Sequence, residues 1–446
     1  MEKSNLKNVI KGIKSVEDAK NKKRKELKEL YDNLTKNDEF LDIIMLQIGK
    51  DIEEKFPEVK FRILARIKSP ESFDAKREND LLGLTDKKEI EKVNIYDIIA
   101  LSIIIEEVPD TVKANDEKFD THMKELIGLR NETKIIIEKY ENEIKEYENR
   151  IREDEESFRV HNEQLKTNEQ MIEDVERQLI QNSDNEELLR TIEYLKSTEK
   201  YIKKNISDFE KRIANIKKDI TEKEKTTIKR TKERYSRENN DCNQALADYI
   251  VTNMEKFDNM KALNINPIPK RLKHKENYDG YKATHNCFEA EVMLDDKQKL
   301  RYPFEVQGKS IDAYYIADRG KAAKYHINPT AQPGKIVKQK KLPDILGIKT
   351  EEQKEQFIRE FDKKVPRFRI YVPSVISKEE KENLIEKGEN AYRGKVYKLG
   401  KRESFMIYYW NQLVGNEEIG IEKHIEEFKK ISQEDILPDD GGEYSL

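Results

Sequence analysis

The chain has 446 residues, of which 39% are charged and 36% hydrophobic, with a net charge of −4 at pH 7. The length favours more than one domain, and the composition is too polar for one compact globule of this size, so long solvated helices are expected. Near-neutral charge excludes whole-molecule attraction to nucleic acid, two cysteines exclude a disulfide framework, and no apolar run is long enough for a membrane span. A cytoplasmic protein is therefore expected.

The first 60 residues have the spacing of helices. Apolar residues recur on one face from Leu6 to Ile13 and on another from Leu41 to Ile48, and Pro57 ends the second helix.

A strand and a capped helix follow. Residues 61–67 alternate as in a strand, and Ser69-Pro70 places a serine N-cap before a proline at the first helical position. Cations and hydroxyls beside a helix N-terminus suit phosphates. The predicted anion-binding residues are Arg66, Lys68, Ser69, Ser72 and Lys76. The alternative is an ordinary capped helix with surface cations.

Residues 94–105 are rich in β-branched residues and predict a buried central strand, with Asp97 at its entrance. A carboxylate in such a position is usually paired or holds a metal. The alternative is that Asp97 caps a neighbouring amide.

Residues 118–239 have apolar positions that alternate three and four apart on both sides of Gln181–Asn185, a segment with turn chemistry. This pattern predicts an antiparallel coiled-coil hairpin. Arms of roughly 55–60 residues would reach about 80–90 Å.

The rest of the chain predicts further helices and strands. A helix with Asp241 as N-cap, a linker at Asn266–Pro269, paired strands at Phe288–Met293 and Arg301–Val306, and a helix at Ala313–His326 are expected. Residues 329–446 are expected to form a small α+β accessory domain. Its predicted elements are a strand at Phe368–Val372, a helix from Ser377 and a segment at Met406–Trp410.

Five short motifs, in this order, resemble the synthetase domain of the RelA/SpoT family, which transfers pyrophosphate from ATP to the ribose 3′-hydroxyl of a guanine nucleotide. They are the segment Arg66–Lys76, Tyr96-Asp97-Ile-Ile-Ala-Leu, Asp241-Cys with Ala245-Leu, Gly280-Tyr281-x-Ala-Thr-His285 and Glu305-Val-Gln307. The helix Gly320–His326 also resembles that domain's closing helix. The resemblance covers about residues 61–110 and 241–326.

The resemblance implies a role for each matching residue. Arg66, Lys68, Ser69, Ser72 and Lys76 would bind ATP phosphates. Asp97 would hold Mg²⁺, and Glu305 would share the metal or take the 3′-hydroxyl proton. Tyr281 would stack on the acceptor base. The other acceptor-binding residues would be Lys273, Lys275, Gly280, His285, Gln307 and Lys309, with Arg271 in the same cationic patch.

Two positions depart from the family pattern. The family usually has arginine where Ser102 stands, and often where Lys309 stands. Lysine keeps the charge but loses the bidentate fork. Ordinary members also lack a coiled coil at this place in the chain.

The predicted fold is α+β: a mixed-sheet RelA/SpoT-like nucleotidyltransferase domain interrupted by a coiled-coil hairpin, with a C-terminal accessory domain. Its segments are 1–60, 61–117, 118–239, 240–328 and 329–446. The predicted substrates are ATP with GDP or GTP, and no hydrolase histidine–aspartate cluster was found upstream.

Two alternatives stay open. One is a toxic relative that pyrophosphorylates the 3′ end of tRNA. The other is a non-catalytic protein that senses nucleotide or binds a partner, or itself, through the coiled coil.

Overall fold

The computed structural model describes residues 2–181, 185–276, 282–293, 299–314, 350–374, 378–387, 394–400 and 404. The chain forms two compact units, of which the first comprises residues 1–126 and 239–446 and the second comprises residues 127–238. None of the helices in the described part of the chain is long and apolar enough to cross a bilayer.

The described helices belong to an α+β protein. In chain order they are α1 (Glu2–Lys36), α2 (Glu39–Lys55), α3 (Pro70–Leu81), α4 (Lys87–Lys92), α5 (Glu117–Gln181), α6 (Glu186–Lys223), α7 (Lys229–Asn253), α8 (Asp258–Ala262), α9 (Glu351–Arg359), α10 (Phe361–Lys364) and α11 (Lys378–Glu386). A π-helical turn, Glu224–Ile228, joins α6 to α7, and a 3₁₀ turn, Met254–Lys256, follows α7.

The first unit is built on a mixed sheet. Its strands are β1 (Lys60–Ile67), β2 (Ile99–Glu107), β3 (Asn266–Pro267), β4 (Lys273–Glu276), β5 (Lys282–Met293), β6 (Lys299–Ser310), β7 (Arg367–Val372) and β8 (Lys395–Lys398). The order is β3-β5-β6-β2-β1-β7-β8, and β4 also pairs with β5. Strands β2 and β6 are parallel, whereas the other pairs are antiparallel.

One face of the sheet packs on helices. Because side chains alternate along a strand, every second residue of β1, β2 and β6 points to this face, and Ile63, Leu101 and Phe304 there are fully buried. Helix α7 approaches β6 so closely that a Cβ on Gly308 would lie 2.5 Å from the carbonyl oxygen of Ala247. The hydrophobic core therefore lies between this face and the helices.

The predicted start of α3 is confirmed. Ser69 is the N-cap, its Oγ accepts a hydrogen bond from the Ser72 amide at 3.3 Å, and Pro70 is the first helical residue. Phe73 of α3 stacks on Tyr31 of α1 with ring centroids 4.3 Å apart. This contact fixes α3, and with it Lys76, beside the end of β1.

The second unit contains the long helices α5 and α6. Salt bridges between them are Glu176–Lys196, Asp154–Arg212 and Glu143–Lys223. Along these pairs the residue number increases on α6 while it decreases on α5, so the two helices run antiparallel. Between them, Asn168 Nδ2 donates to the Leu195 carbonyl at 2.9 Å. The predicted turn at 182–184 lies outside the described residues.

Two predicted local features are wrong. Asp241 does not cap a helix, because α7 begins at Lys229 and continues through it. The predicted linker at Asn266–Pro269 contains β3, whose Pro267 pairs with Phe288 of β5. A short segment without alternation gave no signal for this edge strand.

The C-terminal region also needs a correction. Strand β7 was predicted in a separate accessory domain, but it pairs with β1 within the main sheet, and β8 pairs with β7. Buried Arg369 of β7 forms salt bridges with Asp38 and Asp42 at the start of α2, which hold the strand on the helical side. Pairing between strands more than 290 residues apart is not visible in local pattern. Residues 311–314 are helical, so the predicted helix Ala313–His326 begins within the described residues, but its remainder from 315 and the predicted segment at 406–410 lie outside them.

Candidate functional site

The candidate site lies on the sheet face opposite the one that packs against α2 and α7. The parallel pairing sets Ala100 of β2 beside Glu305 of β6 and Ser102 beside Gln307, while Arg66 of β1 pairs with Ala100 on the other side. Residues paired across neighbouring strands point to the same face. This face therefore carries polar side chains from β1 and β6 at the end where β2 begins.

Asp97 precedes β2 and forms two ion pairs. Its Oδ2 lies 2.9 Å from Lys68 Nζ and 3.2 Å from Lys76 Nζ. Lys68 directly follows β1, and its amide donates to the Ile98 carbonyl at 2.8 Å, so antiparallel pairing brings it to Asp97. Lys76 comes from the second turn of α3.

Burial and charge act in opposite directions on this group. Burial raises the pKa of Asp97, but Lys68 and Lys76 outweigh it and hold the pKa below the usual value. Burial lowers the pKa of Lys68, and Asp97 opposes that shift. Asp97 Oδ1 is buried and has no hydrogen-bond partner among the described residues. A buried carboxylate oxygen without a partner is costly unless something binds it.

Glu305 is held by two neighbours. His285 Nδ1 lies 2.9 Å from Oε1, and Gln307 Nε2 donates to Oε2 at 2.6 Å. Although burial raises the pKa of Glu305, the hydrogen bond and charge of His285, the hydrogen bond of Gln307 and the charge of Lys275 lower it to about 2. Glu305 is therefore ionised throughout the neutral range.

The charge of Glu305 acts on Asp97. After burial and the two lysines, the charge of Glu305 is the next influence on Asp97, and it raises the pKa of Asp97. The pKa of the Cys287 thiol is raised to about 11, mainly by burial. The charges of Glu305 and Asp97 both contribute to this increase. Cys287 pairs directly with Glu305 across β5 and β6. Asp97 and Glu305 thus share one electrostatic environment.

The predicted serines Ser69 and Ser72 contact each other at the start of α3. Ser69 is only 2% exposed and caps α3, and its hydroxyl donates to Ser72 Oγ at 2.9 Å. Ser72 is half-buried in the first turn. The two hydroxyls fix the helix N-terminus beside Lys68, while Arg66 has no ion pair among the described residues.

The predicted cationic patch lies on the edge strand β4. Lys273 and Lys275 are exposed there, and Lys275 Nζ lies 3.4 Å from His285 Nδ1. The guanidinium of Arg271 lies 4.1 Å from the centre of the Tyr96 ring, a cation–π distance. This contact links the patch to the residue before Asp97. Tyr96 belongs to the motif that resembles the family's aspartate strand, but the sequence assigned it no role, because an aromatic residue before a strand carries no specific signal.

The remaining predicted residues divide into two groups. Lys309 lies on β6, pairs with Ile104 and is buried, so its ammonium is not on the open part of the face. Gly280 and Tyr281 lie outside the described residues.

The two carboxylates fit a magnesium ion better than a transition metal. In the described ranges no group of three or more histidine, cysteine, aspartate or glutamate side chains is arranged to hold a metal ion. Mg²⁺ is commonly held by one or two carboxylates together with waters and substrate phosphates. The unpartnered Oδ1 of Asp97 meets this requirement.

Comparison with protein-family models, with curated proteins and with solved structures gives no match for this chain.

Proposed function

We propose that the first unit is a RelA/SpoT-like synthetase domain that transfers pyrophosphate from ATP to the 3′-hydroxyl of GDP or GTP, with Mg²⁺ as cofactor. The observation that carries the proposal is the placement of two carboxylates: Glu305 lies on β6, and Asp97 precedes the neighbouring parallel strand β2 and has a buried oxygen without a hydrogen-bond partner among the described residues. Phosphoryl transfer depends on positioned anions, a divalent cation and an oriented hydroxyl. A carboxylate pair flanked by lysines supplies the first two requirements.

Lysine side chains lie near both carboxylates. Lys68 and Lys76 reach one side of Asp97, and Lys275 reaches the other carboxylate through His285, so cations approach the pair from both sides. These cations would bind polyphosphate oxygens. When bound, Mg²⁺ would neutralise charge that develops on the transferred phosphates.

Glu305 suits metal binding better than proton transfer. A general base works best when its pKa lies near the operating pH, and the pKa of Glu305 is about 2. Of the two roles predicted for Glu305, we therefore propose that of holding the metal together with Asp97.

We also propose that residues 127–238 form an antiparallel coiled-coil arm inserted into the synthetase domain. Its support is the set of salt bridges between α5 and α6 and the burial of Ile151, Ile172, Leu195 and Ile202 at heptad positions. An arm of this kind offers a surface for a protein partner or for self-association.

The test incubates purified protein with labelled ATP, Mg²⁺ and either GDP, GTP or deacylated tRNA. We expect label in the guanine nucleotide. Asp97→Asn and Glu305→Gln should each lower kcat by about 100-fold or more, because a bound metal supplies several kcal/mol of charge stabilisation. Glu107→Gln, at the exposed far end of β2, is the matched control and should keep full activity.

Three other outcomes would change the proposal. Label only in tRNA would keep the reaction and replace the acceptor. ATP binding without turnover would favour the nucleotide-sensing alternative. Unchanged turnover in both carboxylate variants would overturn the proposed site.

A further inference from the structure

The Glu305 carboxylate accepts hydrogen bonds from residues on two neighbouring strands. His285 of β5 pairs directly with Gln307 of β6, and Glu305 is two residues before Gln307 on the same face. The two neighbours reach back to different oxygens of one carboxylate, at 2.9 Å from His285 and 2.6 Å from Gln307. We infer that His285 and Gln307 are positioning residues that fix the Glu305 carboxylate for metal binding, and that they do not bind the acceptor. This inference rests on the proposed role of Glu305.

The direction of the histidine hydrogen bond follows from the acceptor. An ionised carboxylate only accepts, so Nδ1 of His285 carries the proton and donates it to Oε1. Lys275 Nζ lies 3.4 Å from that same nitrogen, which places a positive charge behind the histidine. The hydrogen bond to Glu305 therefore fixes the ring orientation, and Lys275, which can only donate, contributes its charge but no hydrogen bond to the protonated Nδ1.

The burial of the His285 side chain favours the positioning role over acceptor binding. The His285 side chain is 7% exposed, whereas that of Glu305 is 16% exposed. His285 is thus more buried than the carboxylate that it contacts, as expected for a group that orients a metal ligand from behind. Hydrogen-bonded partners behind a metal ligand typically change metal affinity or activity by about 10–100-fold when removed.

The experiment compares His285→Ala and His285→Gln with the wild-type chain. His274→Ala is the matched control, because His274 lies on β4 and contacts Thr284 instead of Glu305. One readout is Mn²⁺ binding without nucleotide, followed by electron paramagnetic resonance. The other readout is kcat and the acceptor KM in the pyrophosphoryl-transfer assay. Circular dichroism checks that each variant is folded, and His285→Gln serves if the alanine variant is not.

We expect His285→Ala to weaken Mn²⁺ binding and to lower kcat by about 10–100-fold, with the acceptor KM changed by no more than about twofold. His285→Gln, which keeps an N–H donor, should recover part of both losses. His274→Ala should match wild type. An increased acceptor KM with unchanged kcat and Mn²⁺ binding would overturn the inference and make His285 an acceptor contact.

The two proposals fail in different ways. If His285→Ala loses Mn²⁺ but wild type transfers no pyrophosphate, the positioning role stands and the proposed reaction fails. If wild type transfers pyrophosphate while His285→Ala leaves Mn²⁺ binding and kcat unchanged, the reaction stands and the positioning role fails. If wild type binds no Mn²⁺ without nucleotide, the positioning role fails, and the transfer assay alone decides the proposed reaction.

Discussion

Lys68 is the residue that joins the helices to the candidate site. Its carbonyl accepts a hydrogen bond from the Tyr31 hydroxyl at 2.8 Å, its amide donates to Ile98 at 2.8 Å, and its ammonium lies 2.9 Å from Asp97. With both backbone groups engaged, the side chain leaves the chain in a fixed direction. The ion pair with Asp97 therefore depends on contacts made by the backbone.

Tyr31→Phe tests the first of these contacts through alkaline stability. Burial, the main cause, raises the pKa of Tyr31 to about 12, so the folded state keeps a proton that the unfolded chain releases near pH 10. This contribution is complete below pH 10 and is lost as pH rises towards 12. Between those values the wild-type free energy of unfolding should fall more steeply than that of the variant.

Urea unfolding at pH 7, 10 and 11 measures the difference. At pH 7 the variant should be less stable by about 1 kcal/mol, the usual value of one hydrogen bond. Parallel loss of stability in both proteins above pH 10 would contradict the argument.

Strand β6 is the element on which the site and the core meet. Its Glu305 and Gln307 point to the candidate site, while Phe304, Val306 and Gly308 point to the helices. Gln244 of α7 holds the end of the strand, since its Oε1 accepts from the Ser310 amide at 3.0 Å. A shift of β6 away from α7 would therefore move Glu305 away from Asp97.

Gly308→Ala tests this packing. The added Cβ would lie 2.5 Å from a backbone oxygen of α7, which cannot rotate away, so we expect a loss of about 1–3 kcal/mol in the free energy of unfolding. Gly12→Ala in α1 is the control, because no atom lies within 4 Å of its added Cβ. That change should stabilise by about 0.5–1 kcal/mol, as expected for glycine inside a helix. Equal effects of the two substitutions in urea unfolding would refute the close contact.

At the scale of the whole molecule, the chain leaves the sheet-containing unit and returns to it. Residues 127–238 form their own compact unit, and the described strands all belong to the other one. A long insertion costs little closure entropy when its two ends are joined to neighbouring parts of the fold. The sheet should therefore form without the insertion.

Replacement of residues 127–238 by a short Gly-Ser turn tests this independence. We expect a folded protein with a cooperative unfolding transition and strand signal in circular dichroism. Loss of helix signal should be confined to the part that α5, α6 and the start of α7 contribute. Aggregated or unfolded protein would show that the sheet-containing unit needs the insertion.

Local sequence determined the elements whose signals are short-range. Ser69-Pro70 predicted the start of α3 because a cap and a proline act within one turn. β-branched residues predicted a strand at 94–105, of which 99–105 lie in β2, whereas 94–98 precede it. Apolar positions that alternate three and four apart predicted the long helices. These choices depend on interactions over a few residues, so they are readable without knowledge of the fold.

Only the tertiary structure decided which of these elements meet. It placed β7 beside β1, paired Ala100 with Glu305, and brought His285 within hydrogen-bond distance of Glu305. Such contacts join residues 20 to more than 290 positions apart, and their free energy comes from burial and hydrogen bonding that exist only after the strands have paired. Local pattern therefore singles out Asp97 and Glu305 separately, and in the sequence only the family resemblance suggested that they share a metal ion.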